Sequence, residues 1–379
     1  TGSGDVTDIF TRQVSIASVD TDTKQVTATV TWQQNPQRQG EIELTTYLSN
    51  WMLPDPPASG DWSVPSTEGS VNINGGNNGW RLGQTGNYVA AIRLNGNPDF
   101  VVIDVSNPAA PNLVGSLNLP GNLRDIAVSG NYAYVGSARN NAEVITVDIS
   151  TPTAPVQVDT LNLPRNRDAR ALAVDGNRLY VARQADNQAE EFYTLDISTP
   201  ANPGILGSED LGGGWNYDIA LSGQYAYVAT TDNSEEVRIV DISVAATPLF
   251  VEDEDLANND NAFAVATDGN LLLVGRQSGE LYVMDLADPI DPVLLGIYNA
   301  GSAIRDISYD PTLQLAWLAT DDNGAELQVV DLANPAAPVL EGSLDAGSDL
   351  NGIVYDANAD RAYAIGEDNG GEFVIFAPQ

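Results

Sequence analysis

The 379-residue chain contains no cysteine and no histidine. A disulfide framework is therefore excluded, as is any zinc or copper site built on thiolate or imidazole. Ser-His-Asp and Cys-His catalytic arrangements fall on the same ground. Lysine occurs once, at Lys24, and the other fifteen basic residues are arginines. Against them stand 52 aspartates and glutamates, a formal net charge of -36. So acidic a surface repels nucleic acid and anionic lipid, and neither is expected as a partner. Few lysines and many aspartates suit high salt, where screening removes the self-repulsion; an acidic cell-surface protein in ordinary water is an equally simple reading. No run of about eighteen apolar residues occurs, so no membrane-spanning helix is expected within the chain. The opening TGSGDVTD does not read as a signal peptide, and the expectation is that a leader was removed or that the chain was cut from something longer. No segment shows a sustained helical period.

What is present is a repeat. FVVIDVSNP, VITVDISTP, FYTLDISTP, VRIVDISVAATP, LYVMDLADP and LQVVDLANP follow one another, with a truncated FVIFAP at the C-terminus. The motif aspartates are Asp104, Asp148, Asp196, Asp241, Asp285 and Asp331, with Phe376 in the seventh place. Successive spacings are 44, 48, 45, 44, 46 and 45 residues. A period of about 40–50 residues with several short strands per unit is the signature of a propeller blade. In the second unit, strands are predicted over 123–130, 131–138, 143–150 and 156–163. The first pair meets at a tight-turn dipeptide that recurs as Gly86-Asn87, Gly130-Asn131, Gly176-Asn177, Gly223-Gln224 and Gly269-Asn270. The fold class is therefore all-β, a seven-bladed propeller.

The Asp-x-Ser-x-Pro step, or its variant, ends the third strand of a unit. Its carboxylate can accept the N–H two residues on, as in an Asx-turn, and proline stops ladder pairing. A catalytic row of aspartates is the alternative, but identical residues in every blade suit a shared turn. The seventh unit ends one strand short, and GSVNINGG (69–76) is predicted to supply its outer strand and close the ring.

Residues 1–51 differ in kind. Phe10, Val14 and Ile16 alternate along one strand, Val26, Ala28, Val30 and Trp32 along the next, and Ile42, Leu44 and Leu48 mark a third. This predicts a three-stranded antiparallel sheet with one apolar face that must be covered from elsewhere. Residues 52–68, rich in proline and small polar residues, read as a semi-rigid linker to a propeller over 69–379.

Two resemblances follow from these residues. The repeat units resemble LVIVD repeats, a β-propeller family of bacterial and archaeal cell-surface proteins, over roughly 69–379. The fourth unit departs, with Val244-Ala245-Ala246 in place of the proline step, and the seventh lacks the aspartate. The resemblance implies an extracellular setting and a binding or structural role. Residues 8–52, with FTRQVSIASVD, KQVTATVTW and ELTTYLSNW, are similar to the C-terminal β-region of type IV pilin-like proteins, minor pilins and pseudopilins. That resemblance implies an N-terminal apolar helix upstream of Thr1 and other pilin subunits as filament partners.

Aligning the units on their turn glycines gives the positions facing the ring centre. One holds Trp80, Arg124, Arg170, Tyr217, Phe263, Arg305 and Asn351. The next holds Arg81, Asp125, Ala171, Asp218, Ala264, Asp306 and Gly352. A position late in the second strand holds Arg93, Ser137, Arg183, Thr230, Arg276, Thr320 and Glu367. Arginine forks and aromatic faces in a channel suit a carboxylated or sulfated glycan, or an acidic peptide end. The structural alternative is that Arg124–Asp125 and Arg305–Asp306 belong to salt-bridge networks holding neighbouring blades. The acidic loops 230–236, 251–260, 321–326 and 367–372 have oxygen ligands of the type calcium uses, but none has the spacing of an EF-hand loop, and solvated hairpin tips account for them. No cofactor is expected. Carboxylate pairs can in principle hydrolyse glycosides, but no sialidase-type S-x-D-x-G-x-[ST]-W box is present and no pair stands out, so no enzymatic activity is expected. The reading is an extracellular, filament-borne propeller for adhesion or surface decoration, with a secreted, lectin-like binder as the alternative.

Overall fold

Gly86, Gly130, Gly176 and Gly223 take φ between +53° and +57°. A type II′ hairpin turn needs that value at its first central position, and glycine adopts it without strain. Around these turns the computed structural model folds the repeat region into seven four-stranded antiparallel sheets. The structure describes the strands Asp5–Thr7, Phe10–Ser18, Thr23–Asn35 and Arg38–Ser49, and residues 60–379 apart from 74–77, 95, 186–189, 233 and 368–370. Among the described residues there is no helix, hence none long and apolar enough to cross a membrane.

Strands follow chain order outward within blades 1 to 6. Blade 2 runs Leu123–Ser129, Tyr132–Ser137, Val144–Asp148 and Val156–Leu161. Innermost strands lie against one another round the ring, and Leu350–Asp356 of blade 7 meets Gly79–Thr85 of blade 1. Second and third strands are covered by a blade on either side, so they read as near-continuous apolar runs, as in FVVID and YAYVGS. The core consists of seven clusters, exemplified by Ile92, Phe100 and Val102 of blade 1 packed with Ile126, Val135 and Ile145 of blade 2.

The motif aspartates make the turns their spacing predicts. Asp104, Asp148, Asp196, Asp241, Asp285 and Asp331 each accept the N–H two residues on, at 2.7–3.0 Å. The turn then packs on the outer strand of the preceding blade. A Cβ on Gly115 would stand 2.0 Å from the Pro152 carbonyl oxygen, and one on Gly296 would stand 2.6 Å from that of Pro335. Glycine at these sites lets one blade's turn seat on its neighbour.

The ring closes earlier in the sequence than expected. The outer strand of blade 7 is Ser66–Val71, paired with Phe373–Ala377, rather than 69–76. Asp61-Trp62-Ser63-Val64-Pro65 is its turn: Asp61 accepts the Ser63 N–H at 2.9 Å, and the segment packs on Gly342. In blade 7 the register puts Ala377, not Phe376, at the place of the motif aspartate, and Asp61 takes the later turn position held by Asn107 and Thr151, its carbonyl accepting the N–H three residues on as theirs do. Residues 60–68 belong to the propeller and not to a linker, and the compact unit is Ser59–Gln379. Composition misled because this turn is itself made of proline and small polar residues.

The other unit, Thr1–Ala58, contains an antiparallel meander of four strands, not three. The fourth is short Asp5–Thr7, which pairs with Phe10–Ser18. Register sets Phe10 opposite Trp32, Val14 opposite Ala28, Ile16 opposite Val26 and Ala28 opposite Leu44. Residues paired directly across a ladder share a face, so the apolar positions gather on one side. A meander of this kind identifies no family by itself.

Candidate functional site

In every blade the ladder between the first and second strands skips one residue at the same place. Such bulges re-aim side chains. The skipped residues are Trp80, Arg124, Arg170, Tyr217, Phe263, Arg305 and Asn351, one from each blade. They touch from blade to blade. Trp80 Nε1 donates to the Arg124 carbonyl at 2.8 Å. The Arg170 guanidinium lies 4.7 Å from the Tyr217 ring centre, Tyr217 lies 4.9 Å from Phe263, and the Arg305 guanidinium lies 5.2 Å from the Phe263 ring centre. The alignment on turn glycines thus brings together one ring at the channel mouth.

Neither Arg124 nor Arg305 pairs with the aspartate that follows it in sequence. Arg124 pairs with Asp168 at 3.0 Å and not with Asp125. Arg305 pairs with Asp321, Nε to Oδ1 at 2.8 Å, and not with Asp306.

The aspartates one layer deeper fasten neighbouring blades. Asp125 accepts the Leu172 N–H at 2.6 Å, Asp218 that of Val265 at 2.8 Å, and Asp306 that of Ile353 at 2.8 Å. Each donor belongs to the next blade, whose residue at this layer is Ala171, Ala264 or Gly352. Aspartate and small residue alternate round the ring, but seven is odd and the alternation fails once. Arg81 stands there, donating to the carbonyls of Arg305 at 3.1 Å, Trp80 at 3.3 Å and Asn351. Burial pushes Asp125 up to about 8 and Asp218 up to about 7, and raises Asp306 as well. The Arg81 charge and the backbone donors oppose the rise at all three, and Asp306 adds to it at Asp218.

The third group of arginines leaves the channel altogether. Arg93, Arg183 and Arg276 are wholly buried. Each lies beside carboxylates of two successive blades: Arg93 by Glu372 and Asp99, Arg183 by Glu143 and Glu191, Arg276 by Glu236 and Glu280. Burial lowers the pKa of Arg93 and Arg183, and those carboxylates oppose the shift. The carboxylates in turn hold backbone. Glu143, Glu191, Glu236 and Glu326 accept the N–H twenty residues on, at 2.8–3.0 Å, and Glu372 that of Ile73 at 3.0 Å. The constant twenty-residue step is the sequence signal for this set.

Three of the acidic loops end on these buried glutamates, Glu236, Glu326 and Glu372. Asp321 is taken by Arg305, and Asp232 by Arg238 at 3.2 Å. Among the described residues no three carboxylates are arranged to hold a metal ion. Along 251–260, burial and the neighbours Asp291, Glu252 and Asp253 push Glu254 up to about 7.

One residue at the mouth escapes the alignment. Trp215 precedes the innermost strand of blade 4, is 44% exposed, and lies 4.8 Å from the Arg170 guanidinium. Gly212 and Gly214, both at φ +83°, shape the loop that presents it.

Among solved structures, the chain resembles one from the crystal structure of the mitotic checkpoint complex, with TM-score 0.64, 12% identity, and coverage of 86% of this chain and 97% of that one. It also resembles the Myceliophteria thermophila Cps50 (Swd1) β-propeller domain, with TM-score 0.61, 16% identity, and coverage of 83% and 100%. At such identities the likeness is one of fold alone. No curated protein matches the chain. The LVIVD repeat model matches residues 86–118, 120–162, 166–210, 213–254, 261–300 and 316–346. These segments make up more than half of the chain and fall on blades 1 to 6; the unmatched blade 7 is the one assembled from both ends of the propeller. The chain belongs to the LVIVD repeat family.

Proposed function

We propose that this is a non-catalytic, surface-displayed binding protein: a propeller carried on a type IV pilin-like filament, working in adhesion or in decorating the filament. The channel mouth carries the reading. Arg124, Arg170, Tyr217, Phe263 and Arg305 present cationic and aromatic faces, while Asp125, Asp218 and Asp306 are spent on neighbouring backbone N–H groups. Such a ring suits recognition of an anionic ligand, a glycan or another cell-surface group. The net charge of -36 favours an extracellular setting away from nucleic acid and anionic lipid. The N-terminal meander supports the filament part. Its register gathers apolar positions on one face, where Ile42 is more than half exposed. In a pilin-like subunit an N-terminal helix and neighbouring subunits would cover that face.

Cryo-electron microscopy of filaments from cells that make the protein tests this. A propeller on every subunit would make it a structural pilin, and one at the tips only would make it a minor pilin acting in adhesion. Bare filaments would overturn the filament reading and leave a secreted, lectin-like binder.

A further inference from the structure

Arg170 is unlike the other arginines of the ring. Among the described residues it has no carboxylate at ion-pair distance, because Asp168 is held by Arg124 and Asp321 by Arg305. Its guanidinium is half-buried between two aromatic rings, Trp215 at 4.8 Å and Tyr217 at 4.7 Å, and its Nε is buried without a hydrogen-bond partner. Arg124 stands close enough to oppose its charge. Two guanidiniums thus share one carboxylate, a local positive excess in a chain of net charge -36.

The platform beside it is held in place. Trp215 N–H donates to Thr231 Oγ1 at 3.0 Å, and its carbonyl accepts the Thr231 N–H at 3.0 Å. Gly214 can take no side chain, since a Cβ there would stand 2.7 Å from Thr230 Oγ1. Arg170 lies over the indole at 4.8 Å, and Trp215 is 44% exposed. An exposed indole stacks the apolar C–H face of a sugar ring, while a stacked arginine aims its donors in plane, where a carboxylate meets them bidentately.

We propose that Arg170, clamped between Trp215 and Tyr217 with Arg124 beside it, receives the carboxylate of an acidic sugar whose ring stacks on the exposed indole of Trp215. This rests on the reading of the channel mouth as a binding site, and it names the ligand class. An acidic peptide end would use the guanidiniums but has no need of the indole platform.

The test is calorimetry on the full chain with trigalacturonate and sialyllactose, their neutral counterparts galactotriose and lactose, and a tetraglutamate peptide. At least one acidic sugar should bind about ten-fold more tightly than its neutral counterpart, the worth of a charge-assisted pair. Arg170→Met should abolish that preference, and Arg170→Lys should lose most of it because an ammonium does not stack in plane. Trp215→Ala, at an exposed site, should weaken the acidic sugar but not lower the melting temperature. The proposal is overturned if no saccharide binds, if neutral and acidic sugars bind alike, if Arg170→Met changes nothing in a folded protein, or if the peptide binds best. Filaments that carry the propeller would still leave the display reading standing in each of those cases.

Discussion

Asp61 and Gln379 exchange main-chain hydrogen bonds, Asp61 N–H to the Gln379 carbonyl at 2.8 Å and Gln379 N–H to the Asp61 carbonyl at 3.2 Å. They sew the two ends of the propeller together beside blade 7. Asp360 secures the seam, accepting from Gly60 N–H at 2.8 Å, Trp62 Nε1 at 3.0 Å and Tyr355 Oη at 2.8 Å. Trp62 itself is buried edge-on against Trp317, their ring centres 5.2 Å apart.

Trp62→Ala is therefore expected to destabilise the propeller by about 3–5 kcal/mol, the range for emptying a buried aromatic site. Val64→Ala, two residues on and half exposed, is expected to cost less than about 0.5 kcal/mol. Chemical denaturation of both variants checks this. Equal effects would mean that the segment 60–65 is an attached tail and not the closing turn.

The buried arginines give a second prediction. Arg276 lies between Glu236 of the preceding blade at 3.8 Å and Glu280 of its own at 3.1 Å, and both it and Glu236 are fully buried. Arg276→Met leaves Glu236 in place without its counter-charge, a change that typically costs about 3–5 kcal/mol. Adding Glu236→Gln removes the orphaned charge while an amide oxygen can still accept the Leu256 N–H, so the double variant should recover part of that loss. Additive losses in the denaturation midpoints would rule out a pair that couples the two blades.

These two cases show what the sequence conveys and what it conceals. The repeat period, the Asx-turn aspartates and the turn glycines are local features, and each could be read from neighbouring residues. Aligning on those glycines also placed Trp80, Arg124, Arg170, Tyr217, Phe263 and Arg305 in one ring, because each innermost strand begins a fixed distance from its turn. Arg93, Arg183 and Arg276 align with channel positions in the sequence but are buried between blades. An arginine in a strand looks the same whether it faces a channel or a carboxylate of the next blade, and only blade stacking decides. The closing turn is hidden because DWSVP sits far from the repeat it completes. Trp215 was hidden because it lies outside the strand pattern, after three glycines.

The channel aspartates predict an inverted pH dependence. Asp125, pushed up to about 8, and Asp218, pushed up to about 7, hold protons in the folded chain that an unfolded aspartate, at 3.8, releases. From the unfolded value up to those folded values the native state binds more protons, so stability falls as pH rises across the window and is fully present below it. Denaturation midpoints should be higher at about pH 5 than at about pH 9. Asp125→Asn, which carries no charge at any pH, should flatten the upper part of that slope and leave the part near the Asp218 value. A slope identical to that of the unaltered protein would place the effect elsewhere.

Salt should act on ligand binding in the opposite sense to that usual for ion pairs. An anionic sugar approaches a chain of net charge -36, and the distant carboxylates repel it before Arg170 and Arg124 attract it. At about 0.01 M ionic strength the Debye length is roughly 30 Å, so the whole protein is felt; at about 0.15 M it is roughly 8 Å and only the mouth is. Affinity for an acidic saccharide should therefore rise between those two conditions, and then decline toward about 1 M as the short-range pair is screened in turn. A neutral saccharide should show neither limb. Titrations at three salt concentrations decide it: a monotonic fall for the acidic ligand would mean that the local arginines outweigh the acidic surface at every distance.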